Sequence, residues 1–157
     1  MDDYGGTMGL DSVAKILDFA IQKEQDAADF YSDLAGKVDK GNMKEVFLGY
    51  AAEERGHKAK LIKIKDNEHW IPAGQRILDM KIGDHLVDVE MSSDLNYQDA
   101  LILAMKAEKA AFKLYNDLAA ATDNDGLKSI LLGLAQEEAK HKLRFELEYE
   151  ERFLTDN

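Results

Sequence analysis

Glu-x-x-His occurs twice in this chain of 157 residues, as Glu54–His57 and Glu138–His141, and two more glutamates, Glu24 and Glu108, stand in the middle of apolar helical stripes. Residues three apart on a helix share a face, so each Glu–His pair points a carboxylate and an imidazole the same way. The four glutamates occupy places where a helix bundle wants leucine. A carboxylate is seldom buried unless it is paired or bound to metal. Four converging without compensation would repel one another and could not all stay ionised. Two divalent cations cancel four carboxylates, and neutral imidazoles complete the coordination. Glu24, Glu54, His57, Glu108, Glu138 and His141 are therefore the predicted ligands of two metal ions.

A single Glu-x-x-His is weak evidence, because charged helix faces produce the pattern freely. The weight comes from an internal repeat. Residues 21–35 (IQKEQDAADFYSDLA) align with 105–119 (MKAEKAAFKLYNDLA), and 47–61 (FLGYAAEERGHKAKL) with 131–145 (LLGLAQEEAKHKLRF), both at an offset of 84 and without a gap. One offset superimposes Glu24 on Glu108, Tyr31 on Tyr115, Glu54 on Glu138 and His57 on His141. Glu-x-x-His on two helices with one Glu on each of two others is the ligand set of di-iron and di-manganese carboxylate bundles.

The elements that must position these residues are helices. Apolar residues recur at helical spacing around each glutamate: Leu17, Ala20, Ile21, Ala27, Ala28 and Tyr31 about Glu24, and Leu101, Ala104, Met105, Ala111, Phe112 and Tyr115 about Glu108. Phe47, Tyr50, Ala51 and Leu61 flank Glu54, and Leu131, Leu134, Ala135 and Phe145 flank Glu138. The predicted helices are 11–36, 42–66, 96–121 and 126–153. Asp11 or Ser12, Asn42 with Glu45, and Asn96 with Asp99 serve as start signals, and Asp123–Gly126 as the last break.

Short first and last connections make two antiparallel hairpins. The middle one, 67–95, is long enough to run back along a bundle, which marks a ferritin-like four-helix bundle and not a simple up-down one. It is expected to pack on the bundle through Trp70, Ile71 and Leu78, with a short helix near 76–86. The expected organisation is all-α: residues 1–9 a flexible leader, and 10–157 one domain.

Bulk properties narrow the function. A formal charge of −11 disfavours nucleic acid and anionic membranes as partners. No apolar run approaches the roughly 20 residues of a membrane span, and the start lacks a signal-peptide pattern. With no cysteine, disulfides, thiol catalysis and Cys-ligated clusters are excluded. A soluble cytoplasmic protein is the simplest expectation. Glu53 and Glu137 also repeat but lie about 100° round the helix from the ligand stripe, so they are assigned to the surface or to a layer behind the ligands. His69 and His85, in the crossover, have no repeat partner and are expected to be surface or packing residues. Tyr31 and Tyr115 are either core aromatics with bonded hydroxyls or phenols that support a ligand beside the metals.

Oxygen-rich ligation with one imidazole per ion suits iron, with manganese as the alternative; zinc tends to take fewer ligands with more nitrogen or sulfur. A pair cycling between +2 and +3 supplies two electrons at one locus, so reduction of hydrogen peroxide or dioxygen is the natural reaction class. The order Glu…Glu-x-x-His…Glu…Glu-x-x-His, the duplicated hairpins and a Tyr seven residues after the first Glu resemble rubrerythrin, within the ferritin-like superfamily. The resemblance implies Glu24, Glu54, Glu108, Glu138 and His141 as iron ligands, His57 as a ligand in at least one oxidation state, and Glu54 and Glu138 as bridges. It also implies a homodimer or larger assembly.

Two departures stand out. Typical rubrerythrins carry a Cys-ligated rubredoxin domain for electron input, so a chain without cysteine requires a separate electron-donor protein. They also carry an extra Glu on the third helix, where Met105 and Ala111 flank Glu108 here; the site is correspondingly more symmetric. The leading function is an oxidoreductase with Tyr31 and Tyr115 close to the reaction. The alternatives are ferroxidation or storage of iron, a manganese catalase-like site, and a structural or regulatory bundle with incidental metal.

Overall fold

The computed structural model describes residues 13–38, 41–67 and 95–154. They form four helices, α1 (Val13–Lys37), α2 (Gly41–Asn67), α3 (Tyr97–Ala121) and α4 (Asp125–Tyr149), with a π-helical turn, Glu150–Leu154, continuing α4. The repeat is visible in the boundaries. Helix α3 starts and ends 84 residues after α1, and α4 starts 84 after α2.

Each start has a local cause where the preceding residue is described. Asn96 is extended and its side chain accepts from the backbone N–H of Asp99 at 2.8 Å, as the spacing predicts. Asn124 does the same for Leu127 at 2.8 Å, so α4 opens at Asp125 and Gly126 lies within its first turn. Asn42 is not a cap. Helix α2 begins one residue earlier, at Gly41, which puts Asn42 inside the first turn.

Helices α1 and α2 pack as one hairpin, α3 and α4 as the other. Val38 and Leu95 form a parallel bridge, with the Leu95 N–H donating to the Lys37 carbonyl at 3.0 Å. Helix α3 therefore starts at the end of the bundle where α1 finishes, whereas α2 finishes at the other end. The directions run up, down, down, up, as a crossover between the second and third helices requires. The expected leader, the short helix near 76–86 and the packing of Trp70, Ile71 and Leu78 lie outside the described residues, as do Asp11, Ser12, His69 and His85.

The interior is divided. One cluster, at the Val38–Leu95 end, buries Tyr31, Leu34, Phe47, Leu101, Met105 and Phe145. The other buries Leu17, Leu61, Tyr115, Leu127, Leu131 and Leu134. Between them lies a belt of buried polar groups: Glu24, Glu54, Glu108, Glu138 and His141. The two apolar clusters hold the bundle closed above and below this belt, and burying hydrocarbon supplies the driving force that offsets burying charge.

Candidate metal centre

The six predicted residues meet at mid-bundle, one stretch from each helix. They form two overlapping groups, Glu24–Glu54–His57–Glu138 and Glu54–Glu108–Glu138–His141, in each of which one ligand atom per residue lies within 4.8 Å of all the others. Glu54 and Glu138 belong to both. Each imidazole points Nδ1 inward: that of His57 is 3.1 Å from Glu24 and 3.0 Å from Glu54. The Nδ1 of His141 is 3.2 Å from Glu108 and 3.5 Å from Glu138. The rings lie nearly parallel, centroids 5.9 Å apart.

Protons do the neutralising in the metal-free chain. Burial raises Glu24 to about 9, with the His57 hydrogen bond opposing the rise and Glu138 and Glu54 reinforcing it. Burial and then the Glu138 charge push Glu108 well above the usual carboxylate range. For His57 burial opposes the charge, but bonds to Glu138, Glu24 and Glu54 prevail and push it up to about 12. His141 is raised in the same way, against burial, by Glu108, Glu138 and Glu54. Burial works against ionised Glu138 too, yet bonds from His141 and His57 hold it well below the ordinary value.

Whether these residues suit metal is tested by what the protons leave unsatisfied. Glu108 Oε1 is buried without a hydrogen bond, and Glu54 Oε1 and Glu138 Oε1, also buried, have close imidazole nitrogens at 3.0 and 3.5 Å but no well-aligned hydrogen bond. Such atoms are costly unless something compensates them. Oxygens orphaned in a ring of carboxylates with two inward imidazole nitrogens make a donor set suited to a pair of cations. Metal requires deprotonated carboxylate and neutral imidazole. At pH 7 the raised values leave Glu24, His57 and His141 holding protons in the metal-free chain, and Glu108 is shifted the same way. Loading a divalent metal in weak buffer should release these protons and acidify the solution, and apparent affinity should fall as the pH falls. Titration without proton release would contradict this arrangement.

The tyrosines act across the hairpins. The Tyr31 hydroxyl on α1 donates to Glu108 on α3, and the Tyr115 hydroxyl on α3 donates to Glu24 on α1 at 2.7 Å. Both are buried, and burial together with the neighbouring carboxylate charge raises each phenol well above its ordinary value, so both stay protonated donors. They are thus core aromatics whose hydroxyls orient the two unshared glutamates. Tyr31→Phe or Tyr115→Phe should keep the fold but weaken metal binding by about 1–3 kcal/mol, the range for a buried group deprived of its partner. A competitive chelator titration measures this, and unchanged affinity in both variants would remove the orienting role.

Behind the imidazoles lie Glu53 and Glu137. His141 Nε2 is 2.9 Å from Glu53, and Arg144 holds the other Glu53 oxygen at 3.3 Å. His57 Nε2 is 3.7 Å from Glu137, whose other oxygen takes Lys140 of its own helix at 3.2 Å. Both glutamates sit on the surface and face an imidazole of the opposite hairpin. Tyr50, which the apolar pattern marks only as core, places its ring against His141, centroids 4.8 Å apart; Leu134 stands at the repeat position, so the repeat could not reveal it. On the opposite side, between α1 and α3, a cleft of about 320 Å³ reaches Glu24, Glu54, Glu108 and Glu138. Ala27 and Ala111, expected in the core stripe, are part-exposed because they line it.

Fold and site together define a ferritin-like all-α bundle with a paired carboxylate–histidine centre. The sequence model of the Rubrerythrin family matches residues 15–79 and 99–157. The chain belongs to the rubrerythrin family. Among solved structures it is similar to a hypothetical protein from Pyrococcus furiosus, 27% identical, with 92% of each chain covered and a TM-score of 0.61. It is also similar to a ferritin-like diiron-carboxylate protein from Thermotoga maritima, 25% identical over 91% of this chain and 96% of that one, TM-score 0.61. No curated protein matches. Among the described residues, no helix is long and apolar enough to cross a membrane.

Proposed function

We propose that the chain binds two iron ions and reduces hydrogen peroxide or dioxygen with electrons from a separate donor protein. The observation that carries this is the pair of buried ligand groups sharing Glu54 and Glu138, with a cleft leading to them. The diiron-carboxylate description of the Thermotoga maritima structure supports iron, as does ligation by oxygen with one imidazole per ion. Glu24 with His57 would hold one ion and Glu108 with His141 the other, and Glu54 and Glu138 belong to both groups. When bound, the iron pair supplies two electrons to an O–O bond.

The chain's own residues do the rest. Tyr31 and Tyr115 fix the unshared carboxylates and stay protonated. Glu53 and Glu137 keep each Nδ1 turned inward by facing Nε2, since a metal-bound imidazole is oriented by the partner of its other nitrogen. The apolar clusters exclude water along the bundle axis, and among the described residues the α1–α3 cleft offers a route for oxidant. Stopped-flow oxidation of the anaerobic Fe(II)-loaded protein tests this reading. Hydrogen peroxide should oxidise it far faster than free Fe(II), with about one peroxide used per chain, two electrons being needed. A rate equal to that of free Fe(II) would overturn the oxidoreductase reading.

A further inference from the structure

The cleft between α1 and α3 is much larger than hydrogen peroxide needs. That molecule is little bigger than water, whose share of liquid volume is about 30 Å³. The cleft, together with the space among the four carboxylates that metal would fill, measures about 320 Å³, against the roughly 300–1,000 Å³ typical of cavities that hold organic ligands. Its walls are chiefly hydrocarbon: Ala27 and Phe30 from α1, and Ala107, Ala110, Ala111 and Leu114 from α3. The charged residues along them, Lys23 and Asp26, are opposite in sign, so the cleft favours an uncharged occupant. Its inner end is the ring of Glu24, Glu54, Glu108 and Glu138.

The small residues are placed where they matter most. Ala27 and Ala111 each follow an unshared ligand glutamate by three residues, on the same helix face and about one turn along. A long side chain at either would narrow the way to the carboxylates. Water between such walls has few polar partners, and replacing poorly held water with an apolar group favours binding.

We infer that the cleft binds the organic part of an uncharged alkyl or aryl hydroperoxide, with its peroxide end towards the four carboxylates. This rests on the peroxide-reducing reading above and extends it to a larger substrate class. The O–O bond of R–O–O–H breaks, taking one electron from each of two ferrous ions, which become ferric, and two solvent protons (hydronium), and leaves R–OH and H2O.

The binding half is tested without iron. The alcohol left by cumene hydroperoxide, 2-phenyl-2-propanol, is titrated into the metal-free full-length chain with carbon-13-labelled alanine methyls. Saturable shifts are expected at Ala27, Ala107, Ala110 and Ala111, with binding weakened at least about tenfold in Ala111→Leu, equivalent to about 1.4 kcal/mol. Should that variant lose its helical circular dichroism, Ala27→Leu on the facing wall must show the same loss. No shifts up to the solubility limit, shifts confined to other alanines, or unchanged affinity in a folded leucine variant would overturn the inference.

A kinetic arm separates this inference from the proposed function. Fe(II)-loaded protein oxidised by both hydrogen peroxide and cumene hydroperoxide supports it. Oxidation by hydrogen peroxide alone leaves the proposed function standing and overturns the wider substrate class. Oxidation by neither at a rate above that of free Fe(II) overturns both this inference and the peroxide-reducing reading on which it rests.

Discussion

Glu138→Ala should abolish binding of both proposed metal ions, whereas Glu24→Ala should abolish binding of one. Glu138 belongs to both ligand groups and Glu24 to only one, so the shared carboxylate carries twice the consequence of the unshared one. Elemental analysis after gel filtration reads this directly. Bound ligand stabilises the native state by mass action, about 4 kcal/mol per site at a thousand times the dissociation constant. The gap in melting temperature between loaded and metal-free protein should therefore vanish in Glu138→Ala and shrink only partly in Glu24→Ala. The metal-free Glu138→Ala protein also suffers, because His57 and His141 lose the anion that faces them both. Breaking a buried charged set by removing one partner costs about 3–5 kcal/mol. Retention of one tightly held ion in Glu138→Ala would show that the glutamate is not shared.

The second large effect concerns a residue outside the six. Glu53→Ala should weaken the ion held with His141 by about 10- to 100-fold, the usual penalty for losing the group that orients a metal-bound imidazole. Glu137→Ala should do less, because Glu137 lies 3.7 Å from His57 Nε2 whereas Glu53 lies 2.9 Å from His141 Nε2. Stepwise metal titration separates the two sites, and Glu53→Gln, which keeps a hydrogen-bond acceptor, should recover part of the loss. Equal weakening by Glu53→Ala and Glu137→Ala would mean that the imidazoles are backed alike. If Glu53 acts only through the fold, metal-free stability will fall with no site-selective change in affinity.

The helices and the six converging residues were legible because both depend on spacing within a helix. Period and offset place Glu24, Glu54, His57, Glu108, Glu138 and His141 on inward stripes without any knowledge of which helix lies beside which. The contacts that spacing could not reveal are those between helices. Tyr31 stands seven residues after Glu24, yet its hydroxyl goes to Glu108 of the other hairpin. Glu53 is off the ligand stripe by sequence, but the packing of α2 beside α4 brings it onto His141. Ala27 and Ala111 read as core because alanine fits any helical stripe; the separation of α1 and α3 decides that they line an opening. Asn42 was displaced by a one-residue extension of α2, a scale at which helix ends are poorly determined by sequence.

The reciprocal tyrosine contacts have a consequence for how the centre could differentiate. Tyr31 serves Glu108 and Tyr115 serves Glu24, so each hairpin completes the other as two identical copies would across a two-fold axis. Identical copies, however, are bound to make identical sites. Covalent joining frees the halves to diverge: Arg144 secures Glu53 behind one imidazole, while Lys140 engages Glu137 behind the other. The two imidazoles are thus backed unequally, at 2.9 Å for His141 and 3.7 Å for His57, a difference that a symmetric dimer of hairpins is denied.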